Sequence, residues 1–112
     1  MAEVTMRDWI EALLSGDYKQ GQGVLMRTLD GKDEFCCLGV LCDLVDPESW
    51  EGSDDGPHST WQDEQYLPPN DVLDAIGISR EDASGLADWN DNGATFKQIA
   101  ERLKEKFNEQ VE

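Results

Sequence analysis

Phe35-Cys36-Cys37-Leu38-Gly39-Val40-Leu41-Cys42-Asp43-Leu44-Val45 is the stretch whose reading decides the fold. It is the longest apolar run in a very acidic chain, and Asp43 alone in it carries a charge. Wound as a helix from Cys37, it sets Cys37, Leu41 and Leu44 on one side and Leu38, Cys42 and Val45 on the next. A helix apolar over so much of its circumference is buried against several partners. Gly39 costs about 1 kcal/mol relative to Ala in a helix interior, which implies that another backbone passes close by. Pro47 forbids continuation, and Asp46 marks the exit to solvent.

Upstream, Met6, Trp9, Ile10, Leu13 and Leu14 recur at helical spacing. Thr5 is placed to cap that helix, Asp8 suits its positive end, and Gly16 supplies a left-handed stop. The helix is expected from Met6 to about Ser15. Tyr18-Lys19-Gln20-Gly21-Gln22-Gly23 follows as a polar link. A glycine-bearing loop can cradle a phosphate, but this one lacks the Walker spacing and its Lys-Ser/Thr ending. Tyr18, Lys19, Gln20, Gly21 and Gly23 are therefore weak ligand-loop candidates, and an ordinary turn is the default. Val24–Leu29 reads as a strand, Asp30-Gly31-Lys32-Asp33 as a hairpin turn, and Glu34–Cys36 as the return strand. A lone hairpin is marginal in water, so it must lie on the helices.

Residues 46–65 change in character. Asp46, Glu48, Glu51, Asp54, Asp55, Asp63 and Glu64 are scattered among Gly, Ser and Pro without sustained periodicity. The reading is a long acidic surface loop, of a length that tends to be functional or mobile. Trp50 and Trp61 either pin that loop to the core or stand out as contact aromatics. Tyr66-Leu67-Pro68-Pro69 then leads into a helix with Val72, Leu73 and Ile76 on its apolar face and Gly77 at its end. Ser79 caps another, whose buried side is read as Leu86 and Trp89. After Asn90-Asp91-Asn92-Gly93, Thr95 and Gln98 form a capping box for a last helix with Phe96, Ile99, Leu103 and Phe107 as its stripe. Residues 108–112 are expected to fray.

At 112 residues the chain reads as one domain, able to bury roughly 65% of the surface its unfolded form exposes. No segment has the length and apolarity of a membrane span, and the N-terminus does not read as a signal peptide, so a cytoplasmic protein is expected. Three cysteines, two of them adjacent, make a poor disulfide framework. The 25 acidic against 9 basic residues give a formal net charge of −16. Direct nucleic-acid binding is disfavoured, because it needs a basic footprint. An acidic surface of this kind is either simply solvating or fitted to a basic protein groove, one that otherwise holds DNA or RNA.

No constellation in the chain asks for catalysis or a metal. Asp88-Trp89-Asn90-Asp91-Asn92-Gly93 imitates the start of a calcium loop, but Ile99 stands where the bidentate Glu belongs. Cys36, Cys37 and Cys42 with His58 lack zinc spacing. They lack, too, a basic neighbour that would activate a thiol. No cofactor, metal ligand or catalytic residue is assigned.

Three blocks give the chain a resemblance. They are Trp9–Leu14 followed by Ser15-Gly16-Asp17-Tyr18-Lys19-Gln20-Gly21-Gln22-Gly23-Val24-Leu25, then Cys36–Leu44, then Leu67-Pro68-Pro69 through Ile76-Gly77 with Asn90-Asp91, Thr95-Phe96 and Ile99-Ala100 beyond. With these, the chain resembles a family of small uncharacterised proteins of bacteriophage and prophage genomes. The resemblance implies no activity, but it implies a setting inside a bacterial host cell. The expectation is thus an α+β fold, mostly helical, with one β-hairpin packed on the buried central helix. The expected role is a non-enzymatic phage accessory protein that binds a basic host protein, with Trp50, Asp54, Asp55, Trp61, Asp63 and Glu64 as the partner-binding candidates. Small-molecule or nucleotide sequestration is the alternative, and a thiol-dependent enzyme is a third.

Overall fold

The central helix forms where the apolar run places it. In the computed structural model, which describes residues 4–52 and 58–106, α2 spans Cys37–Val45. Cys36 caps it, its thiol accepting from the Gly39 N–H at 3.4 Å. Every residue from Cys37 to Cys42 is buried. Gly39 is required by close approach: a β-carbon there would fall on the carbonyl oxygen of Leu25. That carbonyl is itself fixed, because it accepts from the Cys36 N–H at 3.1 Å.

The remaining helices are α1 (Met6–Ser15), α3 (Asn70–Ile76), α4 (Arg80–Asp91) and α5 (Phe96–Lys106). Thr5 and Asp8 close a full capping box on α1, and Thr95 and Gln98 exchange the same pair of bonds ahead of α5. Left-handed glycines at 16 and 77 end α1 and α3. The α1 helix packs on α5, and α2 lies against both α1 and α4. The buried side of α4 is Ala83, Leu86 and Asn90. Trp89, read as buried, is instead 38% exposed, because Asn90 takes the inward position beside it. Phe107 and residues 108–112 lie outside the described residues.

The strand content exceeds the single hairpin expected from the sequence. Among the described residues, five strands, β1 (Lys19–Gln20), β2 (Met26–Leu29), β3 (Lys32–Phe35), β4 (Trp50–Gly52) and β5 (His58–Trp61), form one sheet in the order β1-β3-β2-β5-β4. The expected hairpin is β2–β3, tighter than read: Leu29 pairs with Lys32, so only Asp30 and Gly31 turn. Both have positive φ, 53° and 78°, the primed geometry that Asp-Gly favours. Two corrections follow. The polar link after α1 contains a short strand, β1, parallel to β3. The segment 46–65, read as a surface loop, holds β4 and β5 paired antiparallel, with β5 joined to β2. A second tight turn, Gln62-Asp63, follows β5; there Trp61 and Glu64 exchange both backbone bonds at 2.9 and 3.0 Å. Both turn residues have positive φ without a glycine, 50° and 68°.

Three of the four tryptophans tie other elements to α2. The Trp9 indole N–H donates to the Cys37 carbonyl at 2.9 Å, Trp61 to the Asp46 carbonyl at 2.8 Å, and Trp50 to the Asp43 carboxylate at 3.0 Å. A buried indole N–H needs such a partner, and the central helix and the Asp46 that caps its end supply all three. No helix of the described residues is long and apolar enough to cross a membrane.

Candidate functional site

Asp43 is the one charge in the apolar stretch, and a half-buried carboxylate on a core helix must be satisfied. Its two oxygens are held by neutral donors: the Tyr18 hydroxyl at 2.7 Å on Oδ2 and the Trp50 indole on Oδ1. Phe35 sits between those two rings, edge-on to Tyr18 at 5.1 Å and to Trp50 at 5.9 Å between centroids. No cation pairs with Asp43 among the described residues. Burial, and then the bond to Asp43, pushes the Tyr18 phenol well above its ordinary value, so Tyr18 remains a donor.

An open groove lies over this cluster. Ala12, Leu44, Tyr18 and Phe35 give its lining an apolar part, and Ser15, Glu11, Asp17, Asp33, Asp43, Lys19 and Lys32 line it as well. Two of those charges are neutralised locally. Glu11 pairs with Arg7 at 3.3 Å, and Lys19 with the buried Glu34 at 3.2 Å. Asp17, Asp33 and Asp43 have no cationic partner among the described residues, and Lys32 is the opposing charge. The last turns of α1 and α2 both line the groove, and neither contains a basic residue. Helix C-termini are negative ends, so they add to the potential of the three carboxylates.

The glycine-bearing loop does something other than cradle a phosphate. Its polar groups are consumed by the junction between α4 and α5. Gln20 Nε2 donates to Asn90 Oδ1 at 2.7 Å and to the Ala94 carbonyl at 2.6 Å; Gln22 Nε2 donates to the Asn90 carbonyl at 3.2 Å. Fully buried Asn90 returns a bond from Nδ2 to the Gly21 carbonyl at 2.9 Å. The Gly23 N–H already donates to the Asp91 carboxylate at 2.8 Å, an anion standing where a phosphate would have to sit. Gly21 runs against β3, where a β-carbon would come within 2.8 Å of Glu34 Cβ. Gln20, Gly21 and Gly23 are thus structural, whereas Tyr18 and Lys19 face the groove.

The partner-binding candidates scatter. Trp61 is completely buried and cannot touch a partner. Trp50 is half-buried and committed to Asp43. Asp63 is exposed on its tight turn with Glu64 beside it, and Asp54 and Asp55 lie outside the described residues. The structure therefore brings Trp50 together with Tyr18 but leaves Asp63 and Glu64 on a separate turn. Sequence reasoning missed Asp43, Asp17 and Asp33; the lone acid within the apolar block was the available signal for the first. Missed as well were the exposed aromatics Trp89 and Tyr66, the latter 60% exposed.

The cysteines offer no reactive centre. All three are buried and free. Burial pushes the Cys36 thiol up to about 11 and those of Cys37 and Cys42 well above the usual range. Among the described residues, no group of His, Cys, Asp or Glu is arranged to hold a metal ion.

A family model described as "Domain of unknown function (DUF8296)" matches residues 1–82, and the chain belongs to that family. The matched span contains every residue that lines the groove, whereas Asn90 and Trp89 lie beyond it. No curated protein and no solved structure matches the chain.

Proposed function

We propose that this protein acts by binding rather than by catalysis, as a phage accessory protein whose acidic surface engages a basic protein of the host bacterium. The partner surface it fits is one that otherwise holds DNA or RNA. The observation that carries this reading is the way charge is spent. Lys19 and Arg27 are both committed to Glu34, Arg7 to Glu11 and Lys106 to Asp82. Exposed acids on α3, α4 and α5, among them Asp71, Asp74, Glu81, Asp88 and Glu101, have no cationic partner among the described residues. Lys32, Arg80, Lys97, Arg102 and Lys104 stand outside these ion pairs, but acids outnumber bases 25 to 9, and the net negative field speeds encounter with a basic partner and discourages acidic ones. The resemblance to bacteriophage and prophage proteins supplies the setting, a bacterial cytoplasm.

The test is affinity capture from bacterial lysate on the immobilised protein, followed by a rise in ionic strength. A basic, nucleic-acid-binding protein should be retained at low salt and displaced both by added DNA and by salt, as the screening length falls from about 10 Å at 0.1 M to about 3 Å at 1 M. Retention of nothing, or only of material indifferent to salt and DNA, would overturn the reading.

A further inference from the structure

We infer that the groove between the ends of α1 and α2 and the β1–β3 edge is where that partner docks, and that its occupant is an arginine-bearing basic segment of the partner protein. This inference rests on the reading just given and makes it local.

Three features of the groove choose the occupant. Part of its lining is apolar and aromatic, from Ala12, Leu44, Tyr18 and Phe35, which suits a flat, weakly hydrated cation better than a strongly hydrated one. Its unneutralised charge is negative, from Asp17, Asp33 and Asp43 against Lys32, and the last turns of two helices, neither with a basic residue, line it. Asp43 is the third feature. Its carboxylate is bonded to two neutral donors and, among the described residues, to no cation, yet each oxygen retains a second lone pair for a planar guanidinium. The Tyr18–Phe35–Trp50 cluster holds that carboxylate in place before anything binds, so little ordering has to occur on docking. Asp71 and Asp74 on α3 are exposed and do not line this groove.

The test compares variants of equal charge change, using a short Arg-Gly repeat peptide as the probe and fluorescence anisotropy as the readout. All the positions altered are exposed, and circular dichroism checks that each variant retains the fold. Asp17→Asn with Asp33→Asn should weaken binding by about two- to five-fold per charge removed, the range for solvent-accessible pairs. Asp71→Asn with Asp74→Asn removes the same charge away from the groove and should change affinity by less than about two-fold, because screening confines it. Lys32→Gln should tighten binding, a sign that no loss of structure would produce.

Equal weakening by the two double variants would overturn the groove while leaving the general acidic-surface reading intact. Failure of the wild-type protein to bind the peptide at low salt would overturn both. Spermine that competes with the peptide at equal affinity, and follows the same pattern across the variants, would replace the protein segment by a small polyamine and overturn the occupant named here.

Discussion

The Leu25 carbonyl oxygen lies where a β-carbon at Gly39 would go, which is why the central helix keeps a glycine that lowers its stability. Gly39→Ala should therefore destabilise the protein by about 1–3 kcal/mol through overpacking, although Ala is the better helix former by about 1 kcal/mol. Urea denaturation measures this, and a stabilised variant would show that the two backbones are not in contact. The opposite outcome is expected at Gln62, whose φ of 50° is strained for a residue with a side chain. Gln62→Gly should raise stability by about 0.5–1 kcal/mol, the relief of left-handed strain less the extra entropy of an unfolded glycine. Asp30-Gly31 could be recognised as a turn because its residues belong there. Gln62-Asp63 could not, because the turn is imposed by the pairing of Trp61 with Glu64 and not by its own preferences.

The helices were legible because each has a start, a periodic face and a stop of its own: Thr5 to Gly16 for α1, Ser79 for α4, Thr95 and Gln98 for α5. The sheet was half legible. β2 and β3 are joined by a local signal, whereas β5, His58-Ser59-Thr60-Trp61, has one large apolar residue and owes its state to pairing with β2 across the whole of α2. The same long-range assembly creates the candidate groove, since Tyr18, Phe35, Asp43 and Trp50 are brought together by elements distant in the chain. Within the sheet, Glu34 is the buried charge, and its bonds to Arg27 at 2.9 Å and to Lys19 hold its carboxyl below the usual carboxylate range. A depressed folded value means that the ionised form stabilises the fold at neutral pH and that this contribution is lost as pH falls through the folded value. The advantage of wild type over Glu34→Gln should accordingly be constant well above the ordinary glutamate value of about 4.3 and shrink below it. Thermal melts of the two proteins across the acid range decide the point; a gap that persists unchanged to strongly acidic pH would mean that Glu34 is not held by its ion pairs.

A formal net charge of −16 on 112 residues is a property of the whole molecule, and self-repulsion must oppose its folding. The melting temperature at neutral pH should rise with added sodium chloride from about 0.01 to 0.3 M, as screening shortens from about 30 Å toward a few ångströms. A fall over that range would mean that local ion pairs outweigh the repulsion. The excess of charge was plain in the sequence, but its disposition was not: the acids are distributed over helices and turns, and the groove beside Asp43 depends on where α1 and α2 end. The most direct measurement of whether that place is a binding site is a ¹H–¹⁵N spectrum of the four tryptophan indoles during titration with the Arg-Gly peptide. Trp50, bonded to Asp43, should shift progressively and saturably, while Trp9 and Trp61, bonded to backbone carbonyls, and Trp89, exposed on α4, should stay in place. A titration that moves Trp89 and leaves Trp50 unchanged would contradict the groove as the binding site.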